Sequence, residues 1–299
     1  AKLVLELRSL TRKYYDLTDE RSAHINKLKG DLHTVFPQYL DVFCDVTGKT
    51  STMILRQYGT PDKILRGHKK TMIEKISKAS RKGLAKASER YEKLCAAANA
   101  AKTFGCQIDS IYFNIFLTLD LVEKLDSALD SILNRIRQLI TFNKNEKFIQ
   151  QIKLLNTIPG VGFLTAVTIM CEIGDFSAFR NPKQLFAYFG LDPEVNESGK
   201  FVGTQLHMSK RGSRIARRAI FAVALASIRT KRNGEGINPY LRKYYELKSG
   251  QKPKMVAIGA VMHKVCNIVF AVLRDEKAFE LRSPEEHCKQ YQRPALAAA

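Results

Sequence analysis

Residues 196–200, Asn-Glu-Ser-Gly-Lys, place a serine hydroxyl in a polar turn, and cationic side chains follow at Lys200, Lys210, Arg211, Arg214, Arg217 and Arg218. A serine oxygen attacks phosphorus or carbon only when a base takes its proton and nearby charge steadies the reacting oxygens. No histidine or acid stands at a spacing that would activate Ser198, so by itself it reads as an ordinary turn residue. The cations point to an anion, because the planar arginine fork suits phosphate oxygens. Lys200, Lys210, Arg211 and Arg214 would supply part of a positive field around the hydroxyl. A helix is predicted to start after Gly212 with Ser213 as its cap. It would line Arg214, Arg217 and Arg218 along one face and turn Ile215, Ala219 and Val223 toward a core.

A second constellation precedes the serine. In LLNTIPGVGFLTA (residues 154–166) an apolar helix runs to Ile158, residues 159–162 turn, and another helix starts near Leu164. Glycines let amides at a fresh helix N-terminus face outward, where the dipole suits a phosphate. Pro159, Gly160, Gly162, Thr165 and Ala166 match a helix-hairpin-helix pattern, which makes Gly160, Gly162 and Thr165 candidate DNA-backbone contacts. The same string also serves as a plain packing corner.

What surrounds these residues narrows the partner. Lysine and arginine total 49 against 29 acids, a net charge of +20 in 299 residues. Self-repulsion on that scale implies a polyanion as partner, nucleic acid first. Residues 196–254 carry 14 basic and 3 acidic side chains, and residues 63–93 carry 11 and 3. The second stretch reads equally as a solvated helix face or a nucleic-acid contact. Six scattered cysteines without a CxxC pair, and histidines without ligand spacing, imply reduced thiols in the cytoplasm and no metal site. The most apolar run, residues 255–273, is interrupted by His263, Lys264 and Asn267 and reads as a buried helix, so no membrane partner is expected.

The elements that must position the motifs are helices. Leu3, Leu7, Leu10, Tyr14, Leu17, Arg21, His24 and Leu28 alternate at four and three residues. So do Ile111, Ile115, Thr118, Val122, Leu125, Leu129, Ile132, Ile136 and Leu139. Such runs predict coiled-coil helices, which could pair with each other or across a dimer. Asp120, Asp126 and Asp130 on the second run read as surface residues. The expected class is mainly α. A coiled-coil arm (1–36 and 107–150) carries a basic helical insertion (37–106) and leads into a compact helical domain (151–282) with room for a short β-hairpin at Phe201. Ala1 in place of methionine suggests a fragment, and the terminal PALAAA within the tail 283–299 suggests a cloning scar.

The strings LLNTIPGVGFLTA, QLFAYFGLDP, ESGKFVG, MSKRGSRIARRAIF and GAVMHKV occur in this order. Together they resemble the serine-containing C-terminal domain of DEDD-type bacterial insertion-sequence transposases, relatives of the Piv-type DNA invertases. The upstream helices resemble that family's coiled-coil linker, so the likeness covers nearly the whole chain. The resemblance implies that Ser198 is a nucleophile forming a phosphoserine link to DNA. It further implies a RuvC-like domain holding Mg²⁺, a structured guide RNA, and a homo-oligomer, dimer or tetramer. No acidic, strand-rich segment opens this chain, so that nuclease domain is expected to be missing and the fragment to bind DNA without recombining it. Two other readings stand beside this one. One is a non-catalytic helix-hairpin-helix module for DNA or RNA; the other is a structural coiled coil docking on acidic proteins.

Overall fold

A computed structural model describes residues 2–104, 106–144, 146–194, 197, 198, 201, 202, 208–283, 285, 286 and 289. The chain forms α1 (Lys2–Val35), α2 (Tyr39–Val42), α3 (Lys49–Gln57), α4 (Pro61–Arg66), α5 (Lys69–Ser80), α6 (Leu84–Phe104) and α7 (Asp109–Phe142). It continues with α8 (Lys147–Leu155), α9 (Phe163–Ile173), α10 (Pro182–Tyr188), β1 (Glu197–Ser198), β2 (Phe201–Val202), α11 (Arg214–Ser227), α12 (Pro239–Ser249) and α13 (Lys254–Asp275). Mainly α is therefore correct. Two units divide it: a linker unit, Tyr14–Ile132, and a serine unit, Ala1–Lys13 with Leu133–Ala299.

In the linker unit, α1 and α7 run antiparallel and close on each other within one chain. The Tyr112 hydroxyl donates to the Val35 carbonyl, and Arg21 Nη2 donates to Asp126 Oδ2 at 3.1 Å. Those two contacts are fourteen residues apart on each helix, which is two heptads in register. Asp126 and Asp120 are thus more than bare surface residues; Asp120 takes Arg56 Nη2 at 2.7 Å. The segment between the two long helices builds a core with them, in which Leu28, Leu32, Phe36 and Tyr39 pack with Ile54, Ile64, Met72, Ile76, Leu94 and Ile115. Tyr39 is fully buried, and its hydroxyl satisfies itself on the Ser51 carbonyl (3.0 Å) and Oγ (2.9 Å).

The serine unit is organised around α9 and α13. Every residue of α9 from Ala166 to Ile173 is buried, and α8 and α11 pack against it. α13 passes as a membrane span by length and composition, yet ten of its residues are buried and α8, α10, α11 and α12 pack on it. It is a core helix. The helices that present polar residues start from side-chain caps. Asn181 Oδ1 accepts from the Gln184 amide at 3.0 Å, Asn238 Oδ1 from Leu241 at 3.1 Å, and Ser213 Oγ from Ala216 at 3.1 Å. Pro182 and Pro239 follow the two asparagines at the first helical position, where a missing N–H costs nothing. The five cysteines among the described residues are free thiols.

Candidate functional site

The excursion that carries Ser198 leaves and re-enters the fold through a narrow stem. Pro193 bridges Met208 in antiparallel fashion, the Ser209 amide donates to the Asp192 carbonyl (2.8 Å), and Ser209 Oγ lies 2.6 Å from Asp192 Oδ1. One step further in, the Lys210 amide donates to the Gly190 carbonyl at 3.1 Å. The stem closes on two glycines set back to back. A Cβ on Gly212 would stand 2.0 Å from the Tyr188 carbonyl oxygen, and one on Gly190 would stand 2.4 Å from the Gly212 amide. Gly190 also takes φ +65°, a left-handed conformation that favours glycine. Above the stem, β1 pairs antiparallel with β2, Glu197 opposite Val202 and Ser198 opposite Phe201.

Beneath the stem lies a buried carboxylate. Glu172 is 2% exposed near the end of α9, and Arg12 grips it with both forks, Nε to Oε1 and Nη2 to Oε2 at 2.9 Å each. Ser213 Oγ donates to Oε2 at 2.7 Å while accepting from Ala216, so one hydroxyl ties α9 to the start of α11. The Tyr188 hydroxyl donates to the Glu172 carbonyl at 3.1 Å, and Arg8 Nε donates to the Cys171 carbonyl at 2.7 Å. Burial is the largest influence on the carboxyl group and favours its neutral form. The Arg12 and Ser213 hydrogen bonds, with the charges of Arg12 and Arg8, outweigh it and hold Glu172 below the usual carboxylate range. Arg8, Arg12, Glu172, Tyr188, Arg211 and Ser213 line a cleft of about 380 Å³.

Residues 152–246 match the family model described as "Transposase IS116/IS110/IS902 family". This stretch, about a third of the chain, is thus similar to that family's transposase domain. Over 286 residues the chain is 23% identical to the insertion element IS110 uncharacterized 43.6 kDa protein of Streptomyces coelicolor, covering 95% of this chain and 66% of that one. It is 30% identical over 177 residues to the pilin gene-inverting protein of Moraxella bovis (59% and 52% covered). It is 26% identical over 188 residues to the transposase for insertion sequence element IS1111A of Coxiella burnetii (61% and 50%). The chain thus spans half to two thirds of the length of these relatives.

Within the transposase domain the expected site residues fall into groups. Ser198 sits on β1; Lys200 and the Ser198 side chain lie outside what the structure describes. Lys210 (φ +55°) and exposed Arg211 form the returning side of the stem, and α11 follows with exposed Arg214 and half-buried Arg217 and Arg218. Arg217 has a structural attachment that its spacing did not show. Its Nη1 donates to the carbonyls of Phe189 (3.1 Å) and Gly212 (3.0 Å), fastening both sides of the stem. The core-facing set holds, with Ala219 and Val223 fully buried and Ile215 half-buried.

The hairpin turn separates its two glycines. Gly160, at φ +97°, faces inward: a Cβ there would lie 2.5 Å from Ser227 Oγ, which donates to the Pro159 carbonyl at 3.0 Å. Gly162 is exposed with nothing within 4 Å of its missing Cβ, and Thr165 stands half-buried a turn later on α9. The first helix ends at Leu155, short of the expected Ile158, and α9 begins at Phe163. Glu172, Arg8, Arg12 and Tyr188 were not singled out from the sequence. The available signal was Glu172 itself, a lone acid in an apolar helix that demands a buried partner. Among the described residues no three His, Cys, Asp or Glu side chains converge.

Proposed function

We propose that this chain is the serine-bearing, DNA-binding part of a bacterial insertion-sequence transposase that works in the cytoplasm, with Ser198 as its nucleophile. The observation that supports the reading is the stem: within residues 152–246, the Pro193–Met208 bridge and the tight Gly190–Gly212 crossing close the segment that carries Ser198, and α11 with its arginines starts directly after that base. In the proposed step Ser198 Oγ bonds to a phosphorus of DNA, the bond from that phosphorus to a deoxyribose oxygen breaks, and the strand is held as a phosphoserine ester. The serine proton leaves to a base and the departing oxygen takes one up. Attack by another strand's hydroxyl on the ester then rejoins DNA and frees the serine. Lys210, Arg211 and Arg214 steady the phosphate oxygens.

In this scheme a Mg²⁺-dependent nuclease domain completes the site. A structured guide RNA is the proposed selector of DNA sites. Self-association fits the exposed stripe Phe113 (61%), Leu117 (46%) and Leu121 (43%), spaced i, i+4, i+8 on the α7 side away from its buried seam.

The test uses the complete protein with guide RNA, Mg²⁺ and labelled element-junction DNA, and looks for a covalent protein–DNA adduct. The expected result is an adduct that disappears in Ser198→Ala while DNA binding persists. An adduct that survives the substitution rejects Ser198 and moves the chemistry elsewhere, while DNA binding with no adduct in the parent protein favours the non-catalytic helix-hairpin-helix reading, for which Gly162 and Thr165 at the open start of α9 are the contacts.

A further inference from the structure

The linker unit carries a cationic feature outside the transposase domain. α5 and α6 pack as an antiparallel pair through Met72 and Ile76 on one side and Ala87, Tyr91 and Leu94 on the other. Their connection, residues 81–83, projects beyond that core. Between residues 75 and 88 there are five basic side chains and no acid. Lys78, Arg81 and Lys82 are exposed and make no ion pair among the described residues. Lys86 is exposed too, and its acidic neighbour Glu89 is taken by Lys93 at 2.8 Å. Further down, the same helices pair their charges, as Lys69 does with Glu92 at 2.7 Å. Among the described residues, the cations without an ion pair collect at the tip.

The tip is also braced. Ser77 Oγ donates to the Lys82 carbonyl at 2.8 Å, and the Lys82 amide donates to Ser80 Oγ at 3.3 Å. Arg81 holds a left-handed conformation (φ +53°, ψ 28°) that glycine or asparagine would adopt more easily, which keeps a cation at the apex. Beside it, Leu84 opens α6 with 60% of its surface exposed and follows Gly83, whose missing Cβ has open space around it. An apolar tooth flanked by unpaired cations matches the way proteins enter a minor groove, with phosphates held on both walls and an apolar side chain at a base step. The two serines already bond the backbone, and residues 75–88 hold no Asn, Gln, Asp or Glu for reading base edges.

We propose that the α5–α6 tip grips duplex DNA without sequence preference, with Lys78, Arg81, Lys82 and Lys86 on phosphates and Leu84 in the minor groove. Duplex DNA is favoured over duplex RNA because the A-form minor groove is wide and shallow and offers a tooth no walls. The contact needs no chemistry at Ser198, so its failure and that of the nucleophile are read separately.

The experiment measures binding of the full chain to a random duplex of roughly 30 base pairs over a range of salt concentrations. With all four cations replaced by alanine, the slope of log K against log salt is expected to shallow by about 3 to 4, at close to 0.9 per phosphate contact. Leu84→Ala keeps every charge; it is expected to leave that slope alone and to lower the bend reported by end-to-end energy transfer by about half. An unchanged slope in the fourfold variant overturns the grip, and an unchanged bend in Leu84→Ala overturns the tooth. A loss confined to a matching RNA duplex overturns the choice of DNA.

Discussion

The two basic regions look alike in the sequence and differ in how the fold uses them. At the α5–α6 tip, Lys78, Arg81 and Lys82 stand in solvent and make no ion pair among the described residues. Around the serine stem, Arg217 is bonded to two carbonyls and Arg12 to the buried Glu172. A guanidinium that satisfies buried acceptors is part of the architecture, whereas one left in water is available to a phosphate. Net charge finds both regions, and only hydrogen-bond partners tell them apart. The same region can also hold both kinds, since Arg211 is exposed on the cleft wall beside Arg12.

The comparison breaks most visibly at the glycines under the serine. Gly212→Ala drives a methyl group into the Tyr188 carbonyl and is expected to cost at least about 3 kcal/mol. Gly162→Ala, with open space around it, should stay within about 0.5 kcal/mol in the same denaturant titration. Similar losses for the two would mean that the stem is not the tight element described here. Next in size, Glu172→Ala leaves Ser213 and the Arg12 fork without their acceptor, and about 2–3 kcal/mol of stability should go. That figure sits below the range for a fully buried pair because half of Arg12 faces water.

The third prediction follows from the direction of the Glu172 shift. Its folded pKa lies below the unfolded value, so the stabilisation is present above the unfolded carboxylate range and is lost as pH falls through the folded pKa. Acid unfolding of Glu172→Gln should therefore be less steep below about pH 4 than that of the parent protein. Equal steepness would place the acid sensitivity at another carboxylate. The smallest effect is expected at the tip, where Arg81→Ala with Lys82→Ala should shift stability by no more than about 0.5 kcal/mol. A larger loss would make those cations structural and erase the contrast between the two regions.

Much of the scaffold was legible from spacing alone. Every position of both predicted heptad runs is buried or half-buried, because a 3/4 alternation of apolar residues has one physical use, a helix seam. Ser213 was readable as a cap because few residues can satisfy the first amides of α11. The cradle under the serine was not readable. Arg12 and Glu172 are 160 residues apart, and nothing local to either one names the other. Gly190 and Gly212 pose the same difficulty: each looks like a turn residue, and their purpose is visible only where two backbones cross. Arg217 kept the spacing of its face and still turned to carbonyls, because the stem left two acceptors within its reach.

The stem also fixes a radius. Ser198 follows Pro193 by five residues, and a chain advances at most about 3.5 Å per residue, so its hydroxyl stays within roughly 17–20 Å of the Pro193–Met208 bridge. If Ser198 is the nucleophile proposed above, a phosphodiester would have to be brought inside that circle, and delivery of DNA, more than any travel by the serine, would be the movement that sets up the proposed reaction.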